Sequence, residues 1–195
     1  TLVSEKAAPD SEAERLQTAL TPELYALAEE AAAGVNLPLS FFDDTEPWFF
    51  SLNIVVLKLK QLGFSGDYGV DKYLLTQAAE AGKDIIALET LAEQLDIFDT
   101  LSIETQQTFV EQTLTELDTL ESSFNDMRVA WHEGDVAAME ALATLDPAIY
   151  PELHDKLLTE RNLNWVSEIT PMLADSEDYL IVVGAAHMLG ETGLV

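Results

Sequence analysis

Apolar residues recur every three to four positions along most of the chain, which is typical of helices that pack on one face. Start and stop signals divide this pattern into separate helices. Ser11 and Glu14 form a capping box for a short first helix. A second helix begins at Thr21-Pro22-Glu23 and ends at Gly34, because proline is favoured just inside a helix start and glycine at its end. These signals predict a mainly helical chain.

The third predicted helix is the most apolar one. It begins at Thr45-Glu46-Pro47 and runs to Gly63, and its apolar face is so wide that we expect burial on most sides. A glycine-rich turn over residues 63–69 then leads to a helix over about residues 70–81.

Helical periodicity returns in the second half of the chain. It extends from residue 102 to about residue 133, with a break near Ser122-Ser123, and a shorter helix follows to Leu145. A new segment starts at Asp146-Pro147, and a further helix covers about residues 151–174. Pro171 near its end is predicted to terminate or kink this helix.

Two short apolar runs have the length and composition of buried strands. They cover residues 84–89 and 179–183. Two strands are too few for a sheet that must cover its edges, so partner strands come from elsewhere or the chain is a fragment. We therefore predict an α/β (α+β-like) fold, predominantly helical, with a small central sheet.

Length and composition define the class of protein. The 195 residues, 48% of them hydrophobic, predict one domain over residues 1–195 with a real core. Within it we distinguish an N-terminal helical part, residues 1–64, and a helical region, residues 102–174. No apolar stretch reaches the roughly 18 uninterrupted residues of a membrane span. The absence of cysteine excludes disulfides, thiolate metal sites and cysteine nucleophiles.

The net charge of the chain limits the classes of molecule that it can bind. The chain has 36 acidic and 9 basic residues, a formal net charge of −27. Such a surface repels phosphate backbones and anionic lipid headgroups, so we expect no nucleic-acid partner and no electrostatic membrane binding. A peptide or protein partner remains compatible with it.

The candidate chemistry begins with His187. It follows the second apolar run in the segment Gly184-Ala185-Ala186-His187, a position where open α/β sheets bind ligands. Neutral imidazole is a common metal ligand and a general base. Glu191 follows four residues later, close to the loop that holds His187. The alternative is a histidine with a structural role only.

Two further groups of residues carry candidate chemistry. Arg161 and Trp165 are four apart on a predicted helix, so the guanidinium can stack on the indole or hold a carboxylate or an oxyanion. A surface salt bridge is the alternative. Glu89 ends the first apolar run, where a carboxylate should be paired or metal-bound unless it caps the next helix.

Together these groups resemble the TraB/GumN (PrgY) family, whose animal relatives are the Tiki proteins. The resemblance covers roughly residues 69–195. The stretches that carry it are Gly69-Val70-Asp71-Lys72-Tyr73-Leu74, Gly82-Lys83, Leu88-Glu89-Thr90, Glu93-Gln94, Glu160-Arg161-Asn162 with Trp165, Val182-Val183-Gly184-Ala185-Ala186-His187, Gly190-Glu191 and Gly193.

The resemblance implies a fold, an activity and a set of site residues. The family is thought to have a central sheet with a helical insertion, two Gly-x-x-His motifs, a glutamate and an arginine. The Tiki relatives are divalent-metal-dependent proteases. The resemblance thus implies catalytic roles for Glu89, Arg161 and His187, with His187 and Glu89 binding Mn²⁺ or a similar ion in the complete protein. It implies supporting roles for Glu160, Asn162, Gly184, Gly190 and Glu191.

The chain departs from the family pattern, because the family's opening strands, its final strand and one motif are missing. It contains Gly184-x-x-His187 but no earlier Gly-x-x-His. We therefore expect it to be a fragment, truncated at both ends, of a protein that the resemblance places in the periplasm, outside the cell or on a membrane anchor.

Three functions are compatible with the sequence. The first is a metal-dependent, peptidase-like hydrolase with His187 and Arg161 at its site. The second is a non-catalytic peptide- or pheromone-binding or inhibitory protein that uses the acidic residues 102–146 as its recognition surface. The third is a helical interaction domain without a site, which predicts that Arg161 and His187 lie far apart.

Overall fold

The structure is a computed structural model that describes residues 1–143 and 147–195. Its α-helices, numbered in chain order, are α1 Leu2–Lys6, α2 Leu16–Ala19, α3 Pro22–Gly34, α4 Pro47–Gln61, α5 Val70–Glu80, α6 Leu91–Asp99, α7 Ile103–Glu116, α8 Leu120–Glu133, α9 Val136–Ala143, α10 Pro151–His154 and α11 Glu160–Leu173. A π-helical turn, Asp155–Thr159, joins α10 to α11. Short 3₁₀ turns occur at Glu12–Glu14, Leu39–Phe41, Gly66–Tyr68 and Ala185–Met188.

The local start and stop signals are confirmed. The Thr21 hydroxyl accepts a hydrogen bond from the Leu24 amide at 3.2 Å and caps α3. Proline stands at the first turn of both α3 and α4. Gly63 follows α4 with φ +89°, a conformation that favours glycine. These elements depend on residues adjacent in sequence, which is why the pattern predicts them.

The second half agrees with the predicted helices in most details. The break expected near Ser122-Ser123 lies slightly earlier, between α7 and α8. Pro171 lies in the last turn of α11, which ends at Leu173. The predicted helix end at Leu145 and the start at Asp146 lie outside the described residues. The apolar pattern did not predict α1 or α6.

The predicted small central sheet, and with it the α/β fold class, is wrong. No strand occurs in residues 1–143 or 147–195, and the fold there is all-α. Residues 84–87 and 178–183 have no regular secondary structure and no strand partner among the described residues, and Ile86 and Leu180 are 61% and 77% exposed. A strand needs a neighbour for its backbone groups, and the described residues supply none to these segments.

The chain divides into two compact units. Unit 1 comprises residues 1–64 and 91–124, and unit 2 comprises residues 65–90 and 125–195. None of the helices in the described parts of the chain is both long and apolar enough to cross a bilayer.

The core of unit 1 forms where α7 packs against α4 and α3. Phe50 and Ile54 of α4 and Val110 of α7 are completely buried. The Phe42 ring meets Phe50 edge-on at 5.4 Å between centroids. The expected burial of α4 is thus confirmed on the face that carries Phe50 and Ile54.

Unit 2 contains a continuous run of helix formed by α10, the π turn and α11. Elsewhere in this unit, α9 packs against the 3₁₀ turn Ala185–Met188. Its buried residues include Met139, Leu153 and Leu158. Asn162, Trp165 and His187 are also buried, and they contain hydrogen-bonding atoms that need partners.

A buried polar junction ties together three parts of unit 1. Glu46, which precedes α4, is only 4% exposed. Its amide donates to the Ala7 carbonyl at 3.0 Å. Its Oε2 accepts from Gln106 Nε2 at 2.6 Å, while Gln106 Oε1 accepts from the Trp48 amide at 3.2 Å. One side chain pair therefore joins the start of α4 to α7.

The environment of Glu46 favours its protonated form. It lines a polar cavity of about 80 Å³ together with Asp10, Glu14, Asp99 and Gln106. Desolvation raises the pKa of Glu46 to about 7; the three neighbouring carboxylates add to this effect, and the hydrogen bond from Gln106 partly opposes it.

We expect Glu46→Gln to remove a pH dependence of stability. Between the unfolded pKa of 4.5 and the folded pKa of about 7, only folded Glu46 holds its proton. The free energy of unfolding therefore falls across this window as pH rises, by about 3 kcal/mol in total. Glutamine resembles the protonated acid at every pH. Urea unfolding should find the variant similar to wild type near pH 4.5 and more stable by about 3 kcal/mol at pH 8.

Glu30→Gln provides the matched control because Glu30 is an exposed residue of α3 in the same unit. Its stability difference from wild type should stay constant between pH 5 and 8. A constant difference for Glu46→Gln as well would contradict the assignment of this titration to Glu46.

Candidate functional site

His187 is held by the backbone of the closing segment. It lies in the 3₁₀ turn Ala185–Met188 and is 5% exposed. Its amide donates to the Gly184 carbonyl at 3.0 Å, and its carbonyl accepts from the Leu194 amide at 2.9 Å. A Cβ at Gly184 would lie 3.6 Å from the imidazole Cδ2, ordinary contact distance. The ring is therefore fixed in a tight turn.

The Asn162 side chain on α11 binds this turn at several points. Its Oδ1 lies 2.7 Å from His187 Nδ1. Its Nδ2 donates to the Thr192 carbonyl at 2.7 Å and to the His187 carbonyl at 3.3 Å. One buried amide thus satisfies one ring atom and two backbone carbonyls.

The loop after His187 requires two of its glycines. Gly190 has φ +73°, a conformation that favours glycine. At Gly193 a Cβ would lie 2.8 Å from the Leu189 carbonyl oxygen, so a side chain would force the backbone apart. The tight turn brings the carbonyl of Thr192 back to Asn162.

Trp165 lies between Arg161 and His187. The Arg161 guanidinium carbon is 4.7 Å from the centre of the indole. The imidazole centroid is 4.4 Å from that of Trp165, at an interplanar angle of 48°. The predicted stacking of Arg161 on Trp165 is confirmed. Arg161 and His187 do not lie far apart, contrary to the expectation for a domain without a site.

Arg161 holds Glu89 with two hydrogen bonds. Its Nε donates to Oε2 at 3.0 Å and its Nη2 to Oε1 at 2.7 Å. Its Nη1 donates to the Leu157 carbonyl at 3.0 Å. The two side chains are only 15% and 18% exposed. Glu89 was expected to be paired or metal-bound, and Arg161 pairs with it.

The π turn affects which residues of α11 face inward. It covers Asp155–Thr159, immediately before α11, and its Leu158 is buried. A π turn contains one residue more than an α turn and so rotates the helix that follows it. Asn162 and Trp165 are buried on the rotated helix, whereas Leu163 is 67% exposed.

Electrostatics keep His187 neutral. Burial lowers the pKa of His187 to about 4; the positive charge of Arg161 acts in the same direction, and Glu89 partly opposes it. At neutral pH the imidazole therefore retains one unshared electron pair. In the described part of the chain, no residue makes a hydrogen bond to His187 Nε2.

We call the group of Glu89, Arg161, Asn162, Trp165 and His187 the His187 cluster. Two predicted supporting residues lie outside it and are exposed: Glu160 at the start of α11 and Glu191 in the closing loop. Sequence reasoning missed Thr192 and Leu157, which act through their carbonyls and leave no side-chain signal. The glycines at 190 and 193 were the only pointer to the turn that brings Thr192 close.

The cluster supplies one free metal donor. A metal-binding histidine commonly donates its other ring hydrogen to a neighbouring oxygen, and Asn162 offers that oxygen to His187. Glu89 has both oxygens engaged by Arg161. No group of three His, Asp or Glu side chains in residues 1–143 and 147–195 is arranged to hold a metal ion. These residues alone therefore do not complete a metal site.

Comparison with known proteins gives a consistent family match. The sequence model of the TraB/PrgY/gumN family matches residues 3–195. The chain is similar to the uncharacterized protein YbaP of Escherichia coli K12 and to YbaP of Shigella flexneri, each 24% identical over 181 residues. These alignments cover 93% of this chain and 67% of each relative. No solved structure matches.

We expect the Arg161–Glu89 pair to stabilise unit 2. Arg161→Met removes the guanidinium that pairs with a mostly buried carboxylate and should lower the free energy of unfolding by about 3 kcal/mol. The double variant with Glu89→Gln should recover part of this loss, because the buried negative charge is then removed as well. Urea unfolding of the two single variants and the double variant gives the coupling free energy.

The exposed pair of Lys72 and Asp67 is the matched control within unit 2, with side chains 58% and 75% exposed. Asp67→Asn should change stability much less than Arg161→Met does, because solvent screens an exposed ion pair. Equal effects of Arg161→Met and Asp67→Asn would show that the buried Arg161–Glu89 pair stabilises the protein no more than an exposed pair does.

Proposed function

Because the chain belongs to the TraB/PrgY/gumN family, we propose that it contributes His187 to the active site of a metal-dependent, peptidase-like hydrolase. The observation that carries the proposal is the state of the imidazole. It is buried and neutral, Asn162 and Trp165 fix its orientation, and its Nε2 makes no hydrogen bond in the described part of the chain. A ring held in this way is suited to bind a metal ion through Nε2.

The proposed roles divide among the His187 cluster. A divalent ion such as Mn²⁺ would polarise a substrate carbonyl and lower the pKa of a bound water. His187 Nε2 is the ligand that this chain offers. Asn162 and Trp165 orient the ring, and Arg161 fixes Glu89. For Glu89 to serve as ligand or base, Arg161 must release at least one of its oxygens.

A non-catalytic peptide-binding role is the second candidate. It is favoured by residues 84–87 and 178–183, which lie outside the helices and whose apolar side chains Ile86 and Leu180 are largely exposed. Such segments have backbone groups available to pair with an extended peptide. Incubation with a labelled peptide library and Mn²⁺ separates the two roles: hydrolysis of any member excludes binding alone, whereas retention without cleavage favours it.

The metal role of His187 can be tested with Mn²⁺ itself. We expect His187→Gln to weaken the tightest Mn²⁺ binding roughly tenfold or more, because a metal ligand is removed. Since the chain carries a net charge of −27, diffuse surface binding will add to any titration. Electron spin echo measurements on bound Mn²⁺ distinguish binding at His187 from this diffuse binding, because they detect the nitrogen of a directly bound imidazole.

His132→Gln is the matched control, since His132 is an exposed histidine at the end of α8. The nitrogen signal should persist in this variant and vanish in His187→Gln. An Mn²⁺ signal without imidazole nitrogen in the wild-type protein, together with unchanged affinity in His187→Gln, would refute the proposal.

A further inference from the structure

The hydrogen-bonding arrangement around Asn162 determines which nitrogen of His187 carries the proton. Asn162 is 5% exposed and bonds two backbone carbonyls, those of Thr192 and His187, through Nδ2. A carbonyl oxygen can only accept hydrogen bonds. The NH₂ group of Asn162 must therefore face these carbonyls, and the amide cannot be turned over without leaving both of them opposite an oxygen.

This orientation fixes the remaining contact. Asn162 Oδ1 then faces His187 Nδ1 at 2.7 Å, and an amide oxygen is only an acceptor. Nδ1 must therefore carry the hydrogen. Because a neutral imidazole has a single N–H, Nε2 is left with its unshared electron pair.

Packing and a backbone hydrogen bond restrict the movement of the His187 ring. Trp165 covers one side of the imidazole at 4.4 Å, and the Leu194 amide anchors the His187 carbonyl at 2.9 Å. The ring is therefore held while its tautomer is selected by Asn162 alone among the described residues.

We infer that Asn162 is a positioning residue that locks the neutral His187 ring in the Nδ1–H tautomer and so reserves Nε2 for a ligand. The inference rests on the proposed function only for what Nε2 binds. The tautomer itself follows from the contacts of Asn162 and can be measured without a metal or a substrate.

The test is nuclear magnetic resonance of the protein labelled with ¹³C and ¹⁵N in histidine, because the ring nitrogen and Cδ2 shifts distinguish the two neutral tautomers. His187→Gln identifies the His187 signals by their loss. In the wild-type protein at pH 7 we expect the Nδ1–H tautomer. Asn162→Leu removes the acceptor and should shift His187 towards Nε2–H, the form that imidazole favours in water.

Two further variants make the result specific. Asn162→Asp keeps an acceptor opposite Nδ1 but loses the donor to the Thr192 and His187 carbonyls, so it should keep the hydrogen on Nδ1 in a less stable protein. Asn164→Leu changes an exposed asparagine of the same helix and should leave the His187 signals unchanged. If Asn162→Leu does not fold, the wild type and Asn162→Asp still decide the question.

The outcomes separate the inference from the proposed function. A wild-type ring with hydrogen on Nε2, or an Asn162→Leu ring that stays Nδ1–H, overturns the inference. A change to Nε2–H in Asn162→Asp overturns it as well. A wild-type Nδ1–H ring that binds no Mn²⁺ leaves the inference intact and removes the metal-dependent proposal.

Discussion

The arrangement of the candidate site depends on one buried amide. Asn162 reaches from α11 to the closing segment and meets a ring nitrogen and two carbonyls there. Each of these groups would be costly to bury without a partner, so the three contacts select one geometry together. The orientation of His187, the course of the loop to Thr192 and the position of Trp165 beside the ring all agree with this geometry.

Charge and packing have separate roles around the Asn162 amide. Arg161 neutralises Glu89 and covers the indole, so the positive charge lies near the imidazole without a hydrogen bond to it. Burial and this charge keep His187 neutral. The same principle acts in unit 1 on an acid, because burial and neighbouring carboxylates raise the pKa of Glu46 to about 7. In both units burial shifts the pKa in the direction that favours the uncharged form.

The sequence predicted what depends on neighbouring residues. The cap at Thr21, the start of α4 and the contact of Arg161 with Trp165 are local, and all were predicted. The sheet was not correctly predicted, because a short apolar run such as residues 179–183 has the composition of a strand but contains no information about a partner. Glu89 and Arg161, 72 residues apart, were both selected from the sequence, but their direct pairing appears only in the structure. The burial of Glu46 against Gln106, 60 residues away, had no sequence signal.

The contacts of the closing loop also set an order of events during synthesis. Asn162 and Trp165 emerge from the ribosome well before residues 187–194, whose carbonyls and amides complete the turn. A nascent chain that has reached only residue 188 contains the imidazole but lacks the Thr192 carbonyl and the Leu194 amide that fix it. The ring is therefore aligned only after synthesis has passed Leu194, and products that stop shortly after His187 carry all the side chains of the cluster without its geometry.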